Sequence, residues 1–558
     1  MTKNIFKILL GLMFVCEALS AQEKKGDLLF RAMQDEMGRN MKELSLPGME
    51  RPLFMEYVIS EERRFAVTAT LGSRISISET PFSRSTYARV LVGDYHHTNT
   101  MNYESRRYLN SNPTTIDDNY VQLKRDLWRQ TDNAYKSAVV EYNRKMALLK
   151  QKNLSPEEAG LDDFVKSNPV EKLAPSNNIV YDKAQLGRMV EELSTIFKDY
   201  PEIDDSKVNA SFTNNDVYVV NSENSKYSFQ NNYMSIGASL TCRADGTTMN
   251  DYMNITVYQG QDLPSLDEIK SQIKKFTERF INMKNAQAIK NYYSGPVLFE
   301  GYAVASLFDH ELFTYRGAFA SRESLQGGGE STLQEKMDCK VIANEYTVKC
   351  MPFLEEYGGK KLIGHFEMDF EGNVPEKELI LIENGMLKHV IGSRVPSKYN
   401  KVSSGYFRNG LSKMAILYPG VVDISTSRGV SKDTLKKLLI KTASESGYKY
   451  AYILRQSEDH LGSFTYSSSP IYLYRVNVVD GSEELVRDAE IRDLRQGIMK
   501  LVLGSSNNKI VVNASNIAGP VTYICPDAVL LPDIEIVLKK NTQKTPPPVV
   551  SNPLGEKI

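Results

Sequence analysis

Leu379-Ile-Leu-Ile-Glu-Asn-Gly-Met-Leu387 is the stretch of this chain whose reading decides most about its fold. An apolar run, an Asn-Gly pair and a second run over 386–391 spell a β-hairpin, because Asn and Gly accept the positive φ angles of a type I′ turn. A second hairpin is expected at Asp480-Gly481, between strands at 472–479 and 484–487. Ser431 is placed to cap a helix carrying Leu435, Leu438 and Leu439. Gly447 ends that helix, and a strand over 448–454 follows. The run 529–538 reads as a further strand. The last third is therefore expected to be mostly antiparallel sheet with a few helices.

Upstream, 28–41 reads as a helix, and 54–59, 64–71, 73–78 and 89–93 read as strands, which makes an α+β module. Residues 114–155 contain no Gly or Pro. Tyr120, Leu123, Leu127, Tyr135, Ala138, Tyr142, Met146 and Leu149 recur there near the helical period, with Trp128 beside the stripe. Such a stripe is core packing in the simpler reading and a partner-binding face in the sharper one. Residues 205–260 look strand-rich. Ser265-Leu-Asp-Glu268 then forms a capping box for a helix that buries Leu266, Ile269, Ile273, Phe276 and Phe280.

The chain has 558 residues, enough for about three or four domains. Hydrophobic residues are 41% and charged residues 25%, which excludes wholesale disorder and a polytopic membrane protein. The net charge of -1 opposes a chain built to hold nucleic acid. Residues 1–21 carry Lys3 and Lys7, a short apolar run over 8–16 and Ala21 before Gln22, the pattern of a secretory signal peptide. The protein is thus expected to be exported, periplasmic or extracellular, with no membrane span in the mature chain. Export permits disulfides among Cys242, Cys339, Cys350 and Cys525. A local Cys339–Cys350 bond is conceivable, but the sequence does not fix the pairing. The Pro-rich tail over 541–558 is expected to carry no regular structure.

Of the six histidines, His310 has the most suggestive setting, in Val304-Ala-Ser-Leu-Phe-Asp-His-Glu-Leu-Phe-Thr-Tyr315. A His-Glu pair on a helix, with a second His one turn on, is how zinc peptidases hold their metal and activate water. Here Thr314 and Tyr315 stand where a second histidine is sought. His96-His97 beside Asp94 reads as a polar loop, and 326–330 (Gln-Gly-Gly-Gly-Glu) as a loop without a phosphate-binding context. Glu367 and Asp369 alternate on what reads as a strand, so they would share one face.

Several blocks, in order, resemble the TldD/PmbA family of metallopeptidases, also labelled modulators of DNA gyrase. They are Val220-Asn-Ser-Glu223, Ser294-Gly-Pro-Val-Leu-Phe-Glu300, Gly364-His-Phe-Glu-Met-Asp-Phe-Glu-Gly372 with the Asn384-Gly385 hairpin, and Ser404-Gly-Tyr-Phe-Arg408. The resemblance implies an α+β fold with a mostly antiparallel C-terminal domain at 285–540. With the residue reading it divides the chain into an N-terminal α+β domain at 22–104, a helical segment at 105–190 that has no counterpart in the family pattern and reads as an insertion, and a middle α+β region at 191–284. It implies a homodimer, or a heterodimer with a TldD/PmbA-like paralogue, around a chamber for peptide or unfolded protein.

Carried over by position, His310 matches the first metal ligand and Glu311 the catalytic glutamate. Tyr315 replaces the second histidine, and the later cysteine falls near Ala518, with Cys525 close by. Zinc is the implied cofactor, and a His310/Tyr315/Cys525 variant site is the weaker possibility. The implied activity is hydrolysis of peptide bonds through a metal-activated water. The alternatives are a non-catalytic PmbA (TldE)-type subunit that completes a chamber with a metal-bearing partner, or an exported peptide-binding protein. The family's gyrase label is not read as DNA binding.

Overall fold

The computed structural model describes residues 25–100, 106–174, 181–258, 263–314, 317–322, 325, 333–409, 414–455, 471–492, 494–495, 497–516, 518–539, 550 and 552–555. The expected leader, Tyr315, the loop 326–330, His460 and most of the Pro-rich tail lie outside the described residues. No helix among the described residues is long and apolar enough to cross a membrane.

The N-terminal region is built on one long hairpin. α1 (Lys25–Glu43) leads into β1 (Pro52–Thr70) and β2 (Ser73–Val92), which pair antiparallel over nearly their whole length. The four short strands expected here are two long ones. The polar run Ser60-Glu-Glu-Arg-Arg64 reads as a break, but Ser60, Glu61, Glu62 and Arg64 are paired to β2 on one side and to residues 213–217 on the other. Ladder hydrogen bonds on both sides override the local polarity. The turn falls at Leu71-Gly72, both at positive φ.

α2 (Tyr120–Gln151) starts where the Asn119 side chain accepts a hydrogen bond from the Gln122 N–H. It lies on β2 and α1. Leu123, Leu127, Tyr135 and Ala138 are buried against Tyr57 and Ile59 of β1, so this part of the stripe is core. Trp128, 47% exposed, is off the packed face.

α3 (Lys183–Ser194) is followed by β3 (Asp205–Asn221), β4 (Lys226–Gln230), β5 (Tyr233–Ala244), β6 (Thr247–Tyr258) and α4 (Leu266–Asn285). β3 runs beside β1 and pairs with β5 along its first half and β4 along its second. The expected capping box is present at Ser265–Glu268. α3 and α4 bury Leu186, Val190, Ile273, Phe276 and Phe280 against Phe65, Phe212 and Ile236.

The C-terminal region comprises, in order, β7 (Tyr293–Glu300), α5 (Tyr302–Asp309), β8 (Tyr346–Cys350), β9 (Leu379–Glu383), β10 (Met386–Leu387), β11 (Phe407–Asn409), β12 (Met414–Leu417), β13 (Val421–Thr426), α6 (Lys432–Glu445), β14 (Tyr450–Arg455), β15 (Leu473–Asn477), β16 (Glu483–Arg487), β17 (Lys509–Asn516), β18 (Gly519–Pro526) and β19 (Ala528–Leu538). One sheet runs β16-β15-β14-β7-β19, and a second runs β10-β9-β8-β13-β18-β17. Most neighbours are antiparallel, but β7 with β14 and β13 with β18 are parallel.

The decisive hairpin is there. Asn384 and Gly385 have φ of 49° and 80°, and a side chain at Gly385 would meet the Ile342 carbonyl oxygen at 2.7 Å. The Asp480-Gly481 turn and the Ser431-capped helix also form. The segment 362–378, however, is loop. Asp369 is buried while Glu367 is exposed, so the two do not share a strand face. Cys339 and Cys350 are both free thiols, one exposed and one buried.

Candidate functional site

α5 is apolar on every side because it is sandwiched. Ala303, Val304, Ala305, Leu307 and Phe308 are fully buried between Val297, Phe299 and Leu454 of one sheet and Val348, Ile424 and Tyr523 of the other. Burying Leu307 and Phe308 contributes roughly 1.5–3 kcal/mol each. That anchoring sets where the next residues emerge. At His310 the backbone widens into a single π turn over His310–Thr314. Such turns are common where a helix must aim a side chain.

His310 is 8% exposed and Glu311 is half-buried. Nδ1 of His310 lies 3.2 Å from Oε1 of Glu311. The resemblance implies ligand and base roles for these two, and the structure places them in contact with each other. A catalytic zinc takes three protein ligands and an open position. The described residues contain no group of three or more His, Cys, Asp or Glu side chains placed to hold a metal ion. Cys525 on β18 is fully buried, and burial pushes its thiol well above the ordinary range. Ala518 is buried at the start of the same hairpin and carries no donor. Of the His310/Tyr315/Cys525 set, His310 and Cys525 are described and Tyr315 is not.

The residue that precedes His310 is the one the sequence reading missed. Asp309 is buried, and its Oδ1 accepts hydrogen bonds from the hydroxyls of Tyr523, at 2.6 Å, and Tyr418. The two hydroxyls are 3.4 Å apart. Burial, with Asp309 alongside, raises the Tyr523 phenol well above its ordinary value, so it remains a neutral donor. An Asp at the end of an apolar helix was the available signal.

Three of the four family-like blocks, 220–223, 364–372 and 404–408, meet on a buried ionic seam between the N-terminal sheet and the C-terminal region. One guanidinium nitrogen of Arg394 reaches both oxygens of Glu223 at 2.7 Å. Arg394 also stacks 4.0 Å from the Phe164 ring centre. Arg107 donates to Glu371 at 2.5 Å and to Glu56 at 3.4 Å. Asp369 accepts from the backbone N–H groups of Glu371, Asn373 and Phe407 at 2.9, 2.9 and 3.1 Å. Burial and the neighbouring Glu371 nevertheless push its carboxyl up to about 8. Arg408 is buried and donates to the Pro419 and Pro520 carbonyls. His96 and His97 sit in the expected loop, where Asp94 accepts from both backbone N–H groups.

Part of the chain matches a known domain, and the whole shares a known fold. Residues 293–458 match the family model described as the PmbA/TldA metallopeptidase C-terminal domain. Solved structures share the fold. A modulator of DNA gyrase from Thermotoga maritima matches with a TM-score of 0.55 and 12% identity, over 91% of this chain and 99% of that one. TldE from Thermococcus kodakarensis matches with a TM-score of 0.52 and 13% identity, over 91% and 100%. A modulator of DNA gyrase from Bacteroides thetaiotaomicron matches with a TM-score of 0.54 and 11% identity, over 92% and 98%. No curated protein matches in sequence. Residues 293–458 are thus similar to the C-terminal domain of the TldD/PmbA family, and the chain as a whole shares the fold of these solved structures.

Proposed function

We propose that this chain is a TldE-type subunit. It keeps the family scaffold, handles peptide or unfolded protein in a shared chamber, and relies on a metal-bearing paralogue for hydrolysis. The leader-like residues 1–21 make the pair an exported one. The observation that carries this reading is the site itself: the Glu311 carboxylate lies against His310, and Cys525 is fully buried. In a subunit of this kind, α5 and its π turn shape the chamber wall rather than hold zinc.

One observation favours a second reading, an active metallopeptidase. The resemblance matches His310 and Glu311 to the family's ligand and base, and the model that matches residues 293–458 is described as a metallopeptidase domain. Co-purification with a paralogue bearing an intact His-Glu-x-x-x-His motif separates the two. The subunit reading expects peptide cleavage by the pair alone, with the rate changed less than about twofold by Glu311→Ala in this chain. A lone homodimer that cleaves peptides, and stops when Glu311 is replaced, overturns it.

A further inference from the structure

A cavity of about 330 Å³ lies where the N-terminal sheet meets β11. That is the lower end of the range for small-molecule sites, about 300–1,000 Å³. Strand periodicity builds it. Val58, Ser60 and Glu62 on β1 face one way, directly beside Tyr87, Ser85 and Ser83 of β2. On the other side, Ser60 and Glu62 face Val217 and Asn215 of β3. The opposite face of the same strands is the core under α1 and α2, and the cavity face packs in part against Phe370, Phe407 and Leu417, with the cavity opening beside that contact.

Its polar groups share two properties. First, every charge at its wall is already compensated. Arg64 pairs with Glu62 at 3.0 Å, and Arg84 is bound by Glu61 at 2.7 Å, by Asp118 at 2.6 Å and by two backbone carbonyls. A charged ligand would find no counter-ion to release or replace. Second, uncharged donors and acceptors are left over. Ser83, Ser85 and Asn409 make no side-chain hydrogen bond to another described residue. Ser111 Oγ is buried at the wall with no hydrogen-bond partner at all. An unsatisfied buried hydroxyl costs about 1–3 kcal/mol, which a ligand returns by bonding to it. The half-buried Tyr87 ring and the edges of Val58, Leu109 and Val217, which pack mainly against Phe370, Phe407 and Leu417, form the apolar remainder.

We propose that this cavity binds a neutral sugar unit of one or two rings. Hydroxyls that both donate and accept match sugar hydroxyls, an amide sits at the rim, and an apolar and aromatic patch suits the sugar's C–H face. The site lies outside the His310 region and does not depend on any metal.

Saturation-transfer NMR on the full mature chain tests this, with D-glucose, D-galactose, N-acetyl-D-glucosamine, maltose and trialanine as probes. At least one sugar receives saturation. Ser85→Leu, which fills the cavity, abolishes the transfer. Ser111→Ala weakens it several-fold while leaving the ligand-free melting temperature unchanged or raised, a result that a purely structural serine does not give. Transfer to none of the four sugars, transfer to trialanine only, or sugar transfer indifferent to both substitutions overturns the proposal.

Discussion

The Tyr523 hydroxyl donates a 2.6 Å hydrogen bond to Asp309, the residue immediately before His310. With Tyr418 on the same oxygen, a buried carboxylate at the end of an apolar helix is held by two neutral phenols. Removing one donor leaves the carboxylate buried and under-bonded. Hydrogen bonds to charged groups contribute about 1.5–3 kcal/mol, so Tyr523→Phe is expected to lower unfolding stability by about 2 kcal/mol. Urea titration measures it. A loss below about 0.5 kcal/mol, in the range of an ordinary surface substitution, contradicts the assigned role of the pair.

The ionic seam predicts a larger effect at Arg394. Its guanidinium and Glu223 are both buried. Replacing one partner strands the other charge, at about 3–5 kcal/mol. Arg394→Met is therefore expected to destabilise by several kcal/mol in chemical denaturation, and Arg394→Met with Glu223→Met by much less. A double variant as unstable as the single one would show that the charges themselves are not what matters at this seam.

Asp369 gives the seam a pH dependence. Its carboxyl is raised to about 8 in the fold, against about 4 in an unfolded chain. Burial raises that of Glu56 too. A carboxyl with a raised value binds its proton more tightly when folded. Its contribution is fully present below about pH 4 and is lost as pH rises toward 8, at a slope of at most about 1.4 kcal/mol per pH unit per group. The stability of the wild type minus that of Asp369→Asn, measured in urea at several pH values, is expected to fall across this window. A flat or rising difference contradicts the assignment.

The cysteines offer a quick check of the core. Burial raises the thiols of Cys242, Cys350 and Cys525, and Cys339 is the exposed one. In the native mature chain, a thiol reagent at neutral pH is expected to label Cys339 rapidly and the other three only after denaturation. Fast native labelling of Cys525 would reopen the question of a thiolate near α5.

Turn chemistry and caps were legible because they are local. Asn384-Gly385, Ser265–Glu268 and Ser431 each specify a backbone conformation through their own side chains. The continuous β1 was not legible, since Ser60–Arg64 are polar and are held extended by strands distant in sequence. The 362–378 loop was misread for the opposite reason. Its apolar and acidic residues alternate like a strand, but Asp369 folds the backbone onto itself through N–H groups of Glu371 and Asn373. At the site, His310 and Glu311 could be named from the motif. The tyrosine pair on Asp309 and the burial of Cys525 depend on strands more than 100 residues away along the chain.

Elemental analysis of the purified mature chain, alone and after incubation with zinc and gel filtration, addresses the site most directly. A TldE-type subunit is expected to retain far less than one zinc per chain, unchanged by His310→Ala. Stoichiometric zinc that is lost in His310→Ala would contradict the account and restore this chain as a metallopeptidase in its own right.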